Sequence, residues 1–126
     1  MNVAYVDTSA LIAVAFNEGG GAAIVNRLAE PSYLLSSNLL EAELRSACSR
    51  EGTGFSPNLF SNLKWVLPDR SLTPEITAVL EAGYLRGADL WHVASALYVA
   101  QDPGEMWFVT ADERQRTVAE AVGFKV

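Results

Sequence analysis

Short apolar segments that end at polar or turn-forming residues constrain the fold of this chain more than any other feature. The clearest two are Val3–Val6, which stops at Asp7, and residues 106–110. Further short strands are predicted at residues 33–36, 65–67 and 124–126. Short continuous apolar runs of this kind are typical of strands that are buried on both faces of a parallel sheet.

Helical segments are predicted between these strands. They cover residues 8–16, 22–29, about 38–50, 73–86, 89–100 and 112–122, and Ser56-Pro57 opens a further helical stretch. Alternation of strands and helices predicts an α/β fold with a mostly parallel central sheet flanked by helices. Right-handed crossovers then bring the loops after the strands to one edge of the sheet, where sites in such folds usually lie.

Length and composition limit the classes of protein that remain. A chain of 126 residues predicts a single domain over residues 1–126. One cysteine, Cys48, excludes an internal disulfide framework, and no apolar run reaches the ~20 residues of a membrane span. Together with an N-terminus that does not look like a signal peptide, this predicts a cytoplasmic protein.

The net charge of −6, from 15 acidic and nine basic residues, excludes nucleic-acid binding by a broad basic face. A nucleic-acid enzyme remains open, because metal ions can neutralise a cluster of acids.

Four acidic residues stand in unusual positions. Asp7 and Asp112 directly follow predicted strands, where a helix N-cap is the simpler explanation of each. Glu43 lies in mid-helix on a largely apolar stripe, although it could also sit at the border of that stripe. Asp89 opens a helix that is apolar nearly all round, which places it at a buried helix end.

Taken together, the four acids favour one shared metal site over a separate structural role for each acid. Four carboxylates cannot share a pocket as bare anions, because their mutual repulsion raises their pKa values. Mg²⁺ or Mn²⁺ prefers oxygen ligands and resolves this repulsion, whereas no Cys/His spacing suitable for zinc occurs in the sequence. An acid-rich Mg²⁺ site suits phosphodiester hydrolysis.

Four motifs in sequence order resemble those of PIN-domain nucleases, and in particular of the VapC-type toxins of bacterial toxin–antitoxin pairs. They are YVDTSALIAV, SSNLLEAELRSA, LRGADLWHVASAL and FVTADERQ. The resemblance covers essentially the whole chain, although residues 51–71 match nothing in particular. It implies catalytic and metal-binding acids at Asp7, Glu43, Asp89 and Asp112.

The resemblance also implies a PIN-like three-layer sandwich, a Mg²⁺- or Mn²⁺-dependent endoribonuclease, a cognate VapB-like antitoxin protein and a homodimer. It implies that Ser9 and Thr110 hold carboxylates or metal waters, although backbone capping explains both residues equally well. Apolar residues on the helices at residues 8–29 and 40–48 could form a groove for a partner peptide, or could simply be core.

Two further interpretations concern the surroundings of the acids. The candidate RNA-binding residues lie near the motifs, although a solvated surface explains them too: they are Arg45, Arg86, Arg114 and Arg116. His92 lies one helical turn from Asp89 and could touch substrate or metal, but a histidine with its polar groups satisfied in the core is the favoured interpretation.

Two alternative classes remain. A receiver-like phosphoacceptor domain is expected to have paired acids after the first strand and a lysine near the end of the last strands. Here Asp7 stands alone, and the lysines are Lys64 and Lys125. A catalytically silent PIN fold kept as a binding domain is the second alternative, and the complete set of four acids disfavours it.

Overall fold

The computed structural model describes residues 2–126 of the chain. Within this range the strands are β1 (Val3–Val6), β2 (Tyr33–Ser37), β3 (Leu63–Val66) and β4 (Met106–Val109). The α-helices are α1 (Thr8–Ala15), α2 (Gly21–Ala29), α3 (Leu39–Glu51), α4 (Thr73–Ala82), α5 (Gly87–Val99) and α6 (Glu113–Ala121). This is the predicted α/β fold.

All four strands pair in parallel, in the order β3-β2-β1-β4. The chain moves outward from β1 to β2 and β3, and then crosses back to add β4 on the other side of β1. The order of the strands therefore reverses between β1 and β4. In open parallel sheets such a switch point, at the carboxyl ends of the strands, is where a crevice forms and ligands bind.

Helices cover both faces of the sheet, because successive side chains of a strand point to opposite faces. On one face Tyr5 packs with α4, α5 and α6 in a core that includes Val93 and Phe108. On the other face Ala4 and Val6 pack with α1, α2 and α3. The result is a three-layer sandwich.

Several predicted boundaries were wrong. The third strand is β3 rather than residues 65–67, and Ser56-Pro57 opens only a short 3-10 turn, Pro57–Phe60. The helix that starts at Thr73 ends at Ala82 rather than near Arg86.

The chain end does not form the predicted closing strand. Lys125 accepts a hydrogen bond from the amide of Phe108 and donates one to the carbonyl of Met106, which makes a single parallel bridge to Trp107. The side chain of Phe124 is buried in the core, so this segment is anchored by packing more than by a ladder of hydrogen bonds.

No helix within residues 2–126 is long and apolar enough to cross a membrane.

Candidate active site

The four acids predicted from sequence come together beyond the carboxyl ends of the strands. Asp7 follows β1, and its amide donates to the carbonyl of Val109 at the end of β4 over 2.9 Å. Asp112 caps the helix after β4. Glu43 comes from α3 on one face of the sheet, and Asp89 comes from the first turn of α5 on the other face. The topology thus joins acids from four separate segments.

Asp7 and Asp112 are also helix N-caps. The Oδ2 atom of Asp7 accepts a hydrogen bond from the Ser9 amide over 3.0 Å, and Oδ1 of Asp112 accepts one from the Gln115 amide over 2.8 Å. Capping fixes each carboxylate at the start of its helix. The capping interpretation and membership of an acidic site are therefore compatible for both residues.

Glu43 is held by two polar side chains. Its Oε1 atom accepts hydrogen bonds from the Thr8 hydroxyl over 2.7 Å and from Nε2 of His92 over 2.9 Å. Partial burial alone would raise the pKa of the Glu43 carboxyl, but the hydrogen bonds from His92 and Thr8 outweigh it and hold the pKa below its usual value. Glu43 is therefore an anion at neutral pH.

His92 is a buried residue with its polar atoms satisfied and also a neighbour of the acids. Its Nδ1 atom lies 2.8 Å from the Tyr5 hydroxyl, which itself accepts a hydrogen bond from the Ser37 amide. If the Tyr5 hydroxyl hydrogen goes to Nδ1, then Nε2 carries the hydrogen that it donates to Glu43, and every group has a partner. The Nε2 atom also lies 3.8 Å from Oδ1 of Asp7. The core interpretation of His92 holds, but the residue orients an acid as well.

Asp89 experiences the charge of the other acids. Burial raises the pKa of its carboxyl, and repulsion from Asp7 and Asp112 raises it further. Glu43 adds to this repulsion, and Arg86 opposes it. The site therefore holds more negative charge than its own cations neutralise.

The donor set fits a hard divalent cation, since all four acids offer carboxylate oxygens. Across residues 2–126, no three His, Cys, Asp or Glu side chains are placed so that they could hold an ion as they stand. The acids as they stand are thus not a closed cage of ligands.

A glutamine that the sequence analysis missed, Gln115, lies among the acids. Its side chain is fully buried, and Nε2 donates to Oδ1 of Asp7 over 2.9 Å. The signal was present: Gln115, Val118 and Ala119 form one buried stripe of α6, so a polar side chain interrupts an apolar face. The same criterion had selected Glu43.

Ser9 and Thr110 lie beside the acids and contact one another. Their hydroxyl oxygens are 3.0 Å apart, and the Thr110 hydroxyl donates to Oε1 of Gln115 over 2.6 Å. The Thr110 oxygen lies 3.5 Å from Oδ2 of Asp7, at the limit of a hydrogen bond. Both hydroxyls thus reach Asp7 chiefly through Gln115.

A cleft of about 360 Å³ opens between α1 and α3 at Asp7, Glu43 and Asp89. It is lined by Asp7, Thr8, Ser9, Ile12, Glu43, Ser46, Ala47, Arg50 and Asp89. Arg50 was not among the predicted RNA-binding residues. It follows Glu43 by seven positions, which is two helical turns and so the same side of α3.

The four arginines predicted to bind RNA have different surroundings. Arg45 pairs with Glu41 over 3.1 Å and lies over the Phe55 ring. Arg116 pairs with Glu113 and donates to the carbonyl of Thr110. Arg86 and Arg114 are exposed, and Arg86 is close enough to Asp89 to act on its pKa.

Fold and site together define an α/β domain with an acidic cleft at the switch point of a parallel sheet. A family model described as PIN domain matches residues 4–121. The chain therefore belongs to the PIN-domain family, whose members are in general metal-dependent nucleases. Searches of curated proteins and of solved structures found no significant match. Family membership sets aside the receiver-like alternative.

Proposed function

We propose that this protein is a Mg²⁺- or Mn²⁺-dependent endoribonuclease whose catalytic acids are Asp7, Glu43, Asp89 and Asp112. One observation carries the proposal: burial raises the pKa of Asp89, and acids from the three other segments lie close enough to raise it further by repulsion. In a PIN domain, such uncompensated charge at the switch point supports a divalent cation as the missing partner.

All four acids contact the ion in this proposal. Asp7, Asp89 and Asp112 hold the ion, and Glu43 holds it from the α3 side of the cleft. When bound, such an ion would lower the pKa of a water molecule and would stabilise negative charge on the phosphate. Thr8 and His92 keep Glu43 ionised and fix its direction, so that this carboxylate needs no rearrangement when substrate arrives.

The chain as a whole carries a net charge of −6 and therefore repels RNA. In this proposal, the attraction comes from individual cationic side chains near the acids. Arg50 is the best placed of them, since it lines the cleft on the same side of α3 as Glu43. Its only ion pair in the described part of the chain is with the exposed Glu51, which a phosphate can replace at little cost. Arg86, Arg114 and Arg116 remain candidates for contacts further along the strand.

The protein is further proposed to be the toxin of a type II toxin–antitoxin pair, acting on RNA in the cytoplasm as a homodimer. Support comes from the four motifs that resemble VapC-type toxins. Induced expression of the wild-type chain should arrest bacterial growth, and Asp89→Asn should relieve the arrest. Light scattering of the purified protein tests the dimer, and co-expression with the protein encoded beside it tests the VapB-like antitoxin.

The decisive experiment is cleavage of a mixed RNA pool by purified protein, with Mg²⁺ or Mn²⁺ and with EDTA. Asp89→Asn removes one acid of the site, and Glu81→Gln removes an exposed acid of α4 as a matched control. Cleavage that needs the metal and Asp89, but not Glu81, supports the nuclease. Cleavage that persists in Asp89→Asn contradicts the assignment, and folded protein that binds metal but cuts no RNA favours the silent binding domain.

A further inference from the structure

Gln115 touches three of the four acidic segments at once. Its side-chain Nε2 lies 2.9 Å from Oδ1 of Asp7 and 3.2 Å from the backbone oxygen of Asp89. Its backbone amide donates to Oδ1 of Asp112 over 2.8 Å. These contacts join segments that are up to 108 residues apart in sequence.

The direction of the Gln115 amide follows from its neighbours. A carboxylate oxygen and a backbone carbonyl oxygen only accept hydrogen bonds, so the nitrogen must face Asp7 and Asp89. The amide oxygen then faces Thr110, whose hydroxyl donates to it over 2.6 Å. The amide nitrogen and the amide oxygen of this fully buried side chain therefore both have hydrogen-bond partners.

A chain of hydrogen bonds leads to Gln115 from the cleft. The Ala111 amide donates to the Ser9 hydroxyl, which lies 3.0 Å from the Thr110 hydroxyl. Thr110 also accepts from the Asp112 amide over 3.0 Å, so its own hydrogen is left for Gln115. Consecutive hydrogen bonds of one direction polarise each other. The chain ends on the carboxylate of Asp7.

We infer that Gln115 is a positioning residue that sets the cation affinity of the acidic site. This rests on the metal site of the proposed function. Gln115 occupies one lone pair of Asp7 Oδ1, as the Ser9 amide does for Oδ2, which leaves a lone pair on each oxygen for an ion. The same side-chain nitrogen also donates to the backbone oxygen of Asp89, which ties the first turn of α5 to Asp7. Mutation of a residue that hydrogen-bonds to a metal ligand typically lowers metal affinity 10–100-fold.

A merely structural Gln115 and a positioning Gln115 make different predictions. Gln115→Met keeps the volume and removes both donors, so the Kd for Mn²⁺ measured by calorimetry should rise about 10–100-fold. Val118→Ala is the matched control, because it lies one turn further on the same buried stripe of α6. It should lower Tm and leave the Kd for Mn²⁺ within about twofold of wild type, since its side chain packs in the apolar core.

Two further measurements keep the inference falsifiable if Gln115→Met does not fold. Ser9→Ala removes only the first hydroxyl of the chain and should raise the Kd for Mn²⁺ by about threefold, from the loss of one neutral hydrogen bond. Without metal, the side-chain amide signals of Gln115 in ¹⁵N–¹H NMR spectra should shift and exchange faster with water in Asp7→Asn.

The outcomes separate this inference from the proposed function. A rise in Kd for Gln115→Met without one for Val118→Ala supports it. Wild-type binding of Mn²⁺ with an unchanged Kd in Gln115→Met or, if that variant does not fold, in Ser9→Ala overturns the inference alone. Gln115 amide signals that do not respond to Asp7→Asn also overturn it. Failure of the wild-type protein to bind millimolar Mn²⁺ overturns the proposed metal site and the inference with it.

Discussion

His92 and Glu43 are joined by a 2.9 Å hydrogen bond between Nε2 and Oε1, although their helices lie on opposite faces of the sheet. The contact is made beyond the carboxyl ends of the strands, where α3 and α5 are no longer separated by β-structure. It connects the buried polar core, through Tyr5, to the acidic cleft.

The pKa of Glu43 should depend on this hydrogen bond. In His92→Phe the carboxyl stays partly buried but loses a donor, so its titration midpoint, followed by ¹³C NMR, should move upward. The lowered pKa of the wild type means that ionised Glu43 stabilises the fold above its unfolded pKa. This contribution is lost as the pH falls through the lower folded value. An unchanged midpoint in His92→Phe would show that Thr8 alone sets the pKa.

Asp89→Asn should stabilise the metal-free protein while abolishing cleavage. The pKa of Asp89 is raised in the folded state, so its charge opposes folding once the pH rises above the unfolded value of about 3.9. The gain in Tm at pH 7 should be about 1–3 °C, and it should vanish near pH 3. Mg²⁺ should raise the Tm of the wild type more than that of Asp89→Asn. Scanning calorimetry with Glu81→Gln as the control tests this, and a lower Tm for Asp89→Asn at pH 7 contradicts it.

Arg50→Gln should weaken RNA binding without changing the chemical step. We expect KM to rise about 3–10-fold at unchanged kcat, and the salt dependence of binding to lose about 0.7 from its log–log slope, the value for one phosphate contact on a single strand. Arg45→Gln removes the same charge from the same helix at a position that does not line the cleft, and should have a much smaller effect. Equal effects of the two variants would mean that only the overall charge of α3 matters.

Tyr5→Phe should lower the free energy of unfolding by about 1–3 kcal/mol, because the Ser37 amide and Nδ1 of His92 both lose a buried partner. The ring itself keeps its stacking on Phe108. Urea denaturation measures the change. Tyr84→Phe is the control, since Tyr84 is 65% exposed and its variant should stay within about 0.5 kcal/mol of wild type. A Tyr5→Phe value as small as that of the control would contradict the buried network.

The sequence by itself determined the α/β architecture. It also determined at which strand ends and helices the four acids lie. Short apolar runs with polar ends predict a buried parallel sheet, and Asp7 and Asp112 then follow neighbouring strands to one edge. Helical spacing placed Glu43 on a largely apolar stripe, and the motif resemblance then selected it as the second acid. Local sequence carries such inferences, because side-chain direction repeats every two residues in a strand and every 3.6 in a helix.

Only the tertiary structure decided which polar groups form hydrogen bonds with those acids or with their partners. Gln115, Thr8 and Tyr5 reach partners that are distant in the sequence, and Arg50 rather than Arg45 lines the cleft. Such contacts depend on how crossovers bring distant segments together, and the helical period does not encode that. The bridge at Lys125 in place of a strand has the same origin, since packing of Phe124 outweighs the weak local preference of three residues.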